Sequence, residues 1–211
     1  MIIGIEGPGG AGKSTMARTV AAEIGAVVIE GGAWYRTLTY EALQRKIDLH
    51  DTQALVALAD SLVIFAKNTE DSTTQIWVGD EDVTDRLYSM TVDQSVALVA
   101  QQLTVRTAVE PKIVSAVRAT GNAIIVGRHI RAVLPEAAVL RLIIDDQEVE
   151  RRYRSRMGES DKSASGRNQR DAATARRLGV TSDGIVEVDV TAMDPAEQAE
   201  TLRQFIKTAR S

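Results

Sequence analysis

A glycine-dense stretch, Gly7-Pro8-Gly9-Gly10-Ala11-Gly12-Lys13-Ser14-Thr15, constrains the fold of this chain more than any other part of it. A short β-branched run, Ile2, Ile3 and Ile5, stands before it. After it Met16, Val20 and Ile24 recur four residues apart, on one face of a helix from Lys13 to about Ile24. Strand, GxxxxGKS loop and helix in that order read as a phosphate-binding loop. Glycines let successive backbone N–H groups turn toward one centre and wrap an anion, and the helix N-terminus adds positive potential there. In that frame Lys13 reaches the outer phosphates as a point charge, and the Ser14 hydroxyl is the candidate ligand of Mg²⁺. The pattern predicts binding of a nucleoside triphosphate, ATP, through Gly7 to Thr15. It leaves the acceptor open, because switch proteins, motors, ATPases and small-molecule kinases share such a loop.

The rest of the chain alternates apolar runs with helical patterns. Val27, Val28 and Ile29 read as a second strand ended by Gly31 and Gly32, and Ala33 to Lys46 as a helix. His50 to about Ala66 reads as helical, Thr74 to Val78 as a strand entering a polar turn, and Val92 to Ala119 as a long helix or helix pair. Ala123 to Val126 and Val139 to Ile144 have the apolar density of buried parallel strands. An arginine-rich helix from Asp146 to about Met157 precedes a polar loop, Gly158 to Gly166, and a helix from Arg167 to Arg177. Ile185 to Val190 is the last expected strand and Pro195 to Arg210 the closing helix. This alternation predicts an α/β fold of the P-loop type, a parallel sheet of about five strands with helices on both faces. One domain is expected over 1–211, with a core of 1–48, 120–157 and 172–211, an inserted lobe at about 49–119 and a lid at about 158–171.

Composition narrows the function classes. With 44% hydrophobic and 26% charged residues in a 211-residue chain, low-complexity and collagen-like structure are excluded. Lys and Arg total 25 against 29 Asp and Glu, a net charge of −4, which argues against nucleic acid as a partner. The absence of cysteine excludes disulfides, thiolate metal sites and a thiol nucleophile, and fits a reducing, cytoplasmic setting. No apolar run approaches the ~20 residues of a membrane helix, so no membrane partner is expected.

Several further segments resemble one family. Ile29-Glu30-Gly31-Gly32-Ala33-Trp34-Tyr35-Arg36 resembles the second-strand motif of cytidylate kinases, where an acid, a small residue, Gly-Ala and Tyr-Arg follow the strand. Val78-Gly79-Asp80-Glu81-Asp82-Val83-Thr84 is similar to that family's G-x-D-V-T hairpin, and Gly127-Arg128 with Val133-Leu134-Pro135-Glu136-Ala137 to its GRD…VFPDA segment. Arg167-Asn168-Gln169-Arg170-Asp171 resembles its arginine-rich lid helix, and Ile185 to Thr191 its last strand. The likeness runs in order from about residue 2 to residue 209.

The resemblance implies a monomeric nucleoside monophosphate kinase that moves the γ-phosphoryl group of ATP to CMP or dCMP, with Mg²⁺ as cofactor and the insert binding the acceptor. Arg36, Arg106 and Arg128 are then expected to hold the acceptor monophosphate, with Gly32 and His129 also on the acceptor side. Lys13, Arg128, Arg167 and Arg170 are expected around the transferring phosphoryl, and Asp171 is expected to orient that cluster or the acceptor sugar. Arginine forks suit phosphate oxygens. Arg36 follows a parallel strand at the end where α/β ligands bind, and Arg167 and Arg170 share a helical face. Arg151, Arg152, Arg154 and Arg156 read mostly as a solvated face.

The chain departs from the family pattern at five positions. Val126 stands for an acid before Gly-Arg, His129 for the aspartate after it, Gly31 for a small hydroxyl residue, Ala97 for a serine, and Thr174 for a later lid arginine. Glu6 and Glu30 remain as candidate acids beside Mg²⁺. Phosphate handling is intact, whereas base reading is altered, which redirects or relaxes selectivity. Two alternatives stay open: a P-loop kinase of another nucleotide or phosphorylated metabolite, and a catalytically weak nucleotide-binding regulator.

Overall fold

A strand that is apolar on both faces needs cover on both, which a central position in a helix-flanked parallel sheet supplies. β1 (Ile2–Glu6) takes that place, with Ile3 and Ile5 fully buried. The computed structural model describes residues 1–69, 74–157 and 183–210. In chain order the helix α1 (Lys13–Ile24), the strand β2 (Val27–Glu30) and the helix α2 (Gly31–Gln44) follow β1. Next come α3 (Thr52–Ser61), β3 (Ile64–Asn68), β4 (Thr74–Val78), β5 (Glu81–Asp82), a 3-10 turn (Thr84–Tyr88), α4 (Met90–Ala100) and α5 (Leu103–Ala119). β6 (Ala123–Gly127), α6 (Ile130–Val133), β7 (Ala138–Ile143), α7 (Asp146–Met157), β8 (Ile185–Asp189) and α8 (Pro195–Ala209) complete the described elements.

The five-stranded sheet runs β2-β6-β1-β7-β8, and β1 pairs in parallel with both β6 and β7. Helices α1 and α8 pack together over it, burying Met16, Val20, Leu202 and Ile206 with Ile124 and Leu140. Helix α8 starts firmly: Asp194 caps Ala196 and Glu197, Glu197 returns a bond to the Asp194 N–H, and Pro195 suits the first turn.

The chain divides into two compact units, Met1–Val28 with Asn122–Ser211, and Ile29–Gly121. Helix α2 therefore belongs with the second unit, and the boundary falls well before the residue 49 read from the sequence. Within that unit the 3-stranded sheet has the order β3-β4-β5. Here the expected helix to Ala66 is corrected: α3 stops at Ser61 and Ile64–Asn68 pairs antiparallel with β4, Phe65 opposite Trp77. Ladder pairing with β4 outweighs a local helical period in such a short run. The Asp82-Val83-Thr84 segment closes this hairpin. The Thr84 hydroxyl donates to Asp82 at 2.6 Å and accepts from the Ile76 N–H at 2.8 Å, over a fully buried Val83. The long helical pattern resolves into α4 and α5, and the Gln102 side chain between them donates to the carbonyls of Leu49 and Leu98 and accepts from Thr52. The expected lid, the Arg167–Arg177 helix and Thr174 lie outside the described residues.

Candidate active site

In the first unit the loop between β1 and α1 is shaped by backbone conformations that side chains disfavour. Gly7 has φ +144° and a Cβ there would lie 2.7 Å from the Leu142 carbonyl oxygen; Gly12 has φ +94° and a Cβ would strike the Gln198 amide. Gly12 caps α1, whose first turn holds no acid, so nothing on the helix itself competes for its N-terminal N–H groups. The Lys13 ammonium donates to the carbonyls of Gly7 at 2.8 Å and Pro8 at 2.6 Å, holding its charge over the loop. Ser14 is half-buried in the first turn and Thr15 exposed.

Arg128 and His129 follow β6, half-buried, and the Arg128 guanidinium lies against the loop: its Nη2 is 3.5 Å from where a Gly9 Cβ would stand. His129 takes φ +58°, a left-handed conformation, at the cap of α6. Val126 is buried in β6. Glu6 is 3% exposed and fully committed: Oε1 accepts from the Arg131 N–H at 2.8 Å, and Oε2 from Arg141 Nη2 at 2.9 Å and Nε at 3.1 Å. Arg141 donates onward to Glu187 at 3.0 Å. Glu6 is thus a fastener of β1, β7 and α6. Of the arginines read as a solvated face, Arg151 is largely exposed, whereas Arg152 is turned inward. Arg152 donates to Glu148 at 2.7 Å and to the carbonyls of Val190, Thr191 and Met193. Hydrogen bonds from Arg151 and Arg152 hold the Glu148 carboxyl down at about 2.

The second unit carries a separate cluster on α2, α4, α5 and the 3-10 turn. Arg36 donates to Asp93 at 2.6 Å and to the Leu87 carbonyl at 3.0 Å, with its guanidinium 5.0 Å over the Tyr88 ring. The Tyr88 hydroxyl donates to Glu30 at 3.3 Å. Gly32 is exposed and a Cβ there would meet nothing within 4 Å, so this end of α2 has room beside it. Arg106 is 7% exposed, pairs with Glu110 at 2.5 Å and lies 5.6 Å from the Tyr35 ring centre. Burial pushes the Tyr35 phenol well above its ordinary range, so it stays protonated and donates to Glu110 at 3.4 Å. Ala97, half-buried on α4, offers no side-chain donor. Asp93, Tyr88 and Glu110 carry no motif of their own, whereas Tyr35 belongs to the Tyr-Arg step after the second strand; only the four-residue spacing of Arg106 and Glu110 signals a pair in advance. Arg167, Arg170 and Asp171 are outside the described residues.

Among the described residues no group of three His, Asp or Glu could hold a metal. A single hydroxyl in a phosphate-binding turn suits Mg²⁺, which keeps its waters and binds chiefly substrate phosphate oxygens. Sheet order and loop together define a P-loop nucleotide-binding protein. A Thermus thermophilus protein of known crystal structure shares the fold, with a TM-score of 0.53 and 15% identity over 100% of this chain and 98% of that one. The family model described as cytidylate kinase matches residues 3–207. A Listeria monocytogenes serotype 4b cytidylate kinase is 34% identical over 95% of this chain and 93% of its own length. A Geobacillus cytidylate kinase is 31% identical over 97% and 95%. The chain belongs to the cytidylate kinase family, and with it to the nucleoside monophosphate kinase class of transferases. No helix among the described residues is long and apolar enough to cross a membrane.

Proposed function

We propose that this protein transfers the γ-phosphoryl group of ATP to CMP or dCMP, giving ADP and CDP or dCDP. The observation that carries the reading is the phosphate loop, with Lys13 over its carbonyls and the Arg128 guanidinium beside Gly9. Phosphoryl transfer passes through a loose, metaphosphate-like state, so the protein's work is positioning and charge neutralisation. Loop N–H groups hold the phosphates of ATP, and Lys13 exchanges its two carbonyl partners for phosphate oxygens. Arg128 neutralises charge on the moving group. Ser14 would hold Mg²⁺, which supplies further neutralisation of the phosphates when bound. Arg36 meets the acceptor phosphate: its fork has five N–H donors, and Asp93 and the Leu87 carbonyl orient it while occupying two of them. Arg167, Arg170 and Asp171 keep the roles that the family resemblance implies.

A second acceptor class is favoured by buried Val126 and by His129 at positions where the family carries acids; it is a different nucleoside monophosphate bound by the same Arg36. ADP formation from Mg·ATP with CMP, dCMP, UMP, dTMP, AMP, GMP or no acceptor separates the readings. Stimulation greatest with CMP or dCMP is the expected result. Stimulation by another member moves the acceptor, and none above the acceptor-free rate refutes the transfer.

A further inference from the structure

We infer that Asp93 is a specificity-determining residue at the acceptor-phosphate position: its carboxylate competes for Arg36, so that an acceptor binds by exchanging one anion for another. The inference rests on the reading that Arg36 meets the acceptor phosphate. Arg36 and Asp93 are 57 residues apart in the chain and are joined by a 2.6 Å hydrogen bond from Nη2 to Oδ1. Their side chains are 18% and 12% exposed, a pair partly withdrawn from water but still within its reach. A second carboxylate stands close by: Tyr88, whose ring centre is 5.0 Å from the guanidinium, donates its hydroxyl to Glu30 at 3.3 Å.

Charge decides what this arrangement does. A phosphate dianion arriving at Arg36 meets a cation already paired, and its approach to Nη2 brings it against the Asp93 carboxylate. At such short range, in a half-buried setting, that repulsion is comparable to the attraction to the arginine, so a firm phosphate contact requires Asp93 to let go. The surroundings favour release. Nη1 keeps the Leu87 carbonyl at 3.0 Å and the guanidinium keeps the face of the Tyr88 ring, so Arg36 stays in place without Asp93. Asp93 stands in the first turn of α4, where the helix dipole stabilises a carboxylate that has lost its partner. Glu6 is placed differently: it is buried in β1 with both of its oxygens bonded, a pair made to stay closed.

What the exchange achieves is discrimination among phosphate-bearing molecules. An arginine without a competitor would hold inorganic phosphate as readily as a phosphate ester. With Asp93 competing, the phosphate contact by itself returns little free energy, and the rest of the acceptor must supply what the exchange costs. A nucleoside monophosphate brings a base and a sugar to do so, whereas inorganic phosphate brings neither. The effect belongs to the phosphate alone, so it acts equally on every nucleoside monophosphate, whatever its base.

The test compares the full-length wild type with Asp93→Asn, which keeps an oxygen acceptor for Arg36 and removes the charge. Asp60→Asn, the same charge change at an exposed residue of α3, is the control. Calorimetry without ATP measures binding of CMP, dCMP and UMP; ADP formation gives acceptor KM, kcat and the inhibition by inorganic phosphate that is competitive with the acceptor. Asp93→Asn should tighten each monophosphate by about tenfold or more, with the gain falling on KM rather than kcat, and should lower the phosphate inhibition constant by about tenfold. The ratio of CMP to UMP affinity should stay as it is. Asp60→Asn should change none of these by more than about twofold. An Asp93 that only orients Arg36 or fastens α2 to α4 gives unchanged or weaker monophosphate binding in Asp93→Asn, and either result overturns the inference. So does an equal gain in Asp60→Asn, or a variant that binds none of the three. One result needs no variant: a wild type whose competitive inhibition constant for inorganic phosphate lies below its KM for CMP also overturns it. Tighter binding without any ADP formation leaves the inference standing and refutes the transfer reading instead.

Discussion

Replacing Glu6 with alanine tests whether this acid is a fastener of the fold or part of the magnesium chemistry. In the structure its carboxylate is 3% exposed, accepts a backbone N–H from α6 and takes two N–H donors from Arg141. Removing one partner of a buried ion pair costs about 3–5 kcal/mol, because the other charge stays behind. Arg141 retains Glu187, which places the loss at the lower end of that range, while the Arg131 N–H adds about 1 kcal/mol for its missing acceptor. A loss of about 3–4 kcal/mol follows, and at about 2–4 °C per kcal/mol for a chain of this size the thermal midpoint should drop by about 6–16 °C. Glu6→Gln keeps the amide oxygen as an acceptor and should lose about half as much. Circular dichroism melting without nucleotide reads the shift. A Glu6→Ala midpoint within about 2 °C of the wild type would refute the argument, since the pair would then contribute no more than a surface one. A magnesium role makes the opposite forecast: an unchanged midpoint and a shifted Mg²⁺ dependence of ADP formation.

Three other outcomes follow from the same geometry. Lys13→Ala should reduce ADP formation by about 10²–10³ or more while the protein stays folded, because Lys13 sits over the loop carbonyls of Gly7 and Pro8 and not in the core; steady-state rates with Mg·ATP and CMP check it. Burial raises the Tyr35 phenol, so its stabilising contribution is whole below the ordinary tyrosine range near 10 and fades as pH rises above it. Ultraviolet titration should show one tyrosine ionising late, and its loss in Tyr35→Phe identifies it. Glu148, held at about 2 by Arg151 and Arg152, contributes above the ordinary carboxyl range and loses that contribution as pH falls through about 2. Carbon-13 carboxyl shifts should give that midpoint, rising toward the ordinary value in Arg151→Met/Arg152→Met.

The phosphate loop was legible in the chain itself, since its function depends on backbone freedom and one local order of strand, glycines and helix. Gly7 and Gly12 adopt the positive φ that the pattern demands, and Lys13 lies over the loop they form. The parallel strands β1, β6 and β7 were legible too, because burial on both faces leaves a dense apolar run. Ile64 to Asn68 was not: a short apolar segment has no period of its own, and its strand exists through pairing with β4. The charged residues divide in the same way. Sequence marks Glu6 and Arg152 as charged but not which distant groups face them. Glu6 meets Arg141 across adjacent strands, far apart in the chain, and Arg152 meets three carbonyls beyond β8. Local conformation follows from the residue and its chain neighbours, whereas the work of a charge depends on groups that only tertiary packing brings within hydrogen-bonding distance.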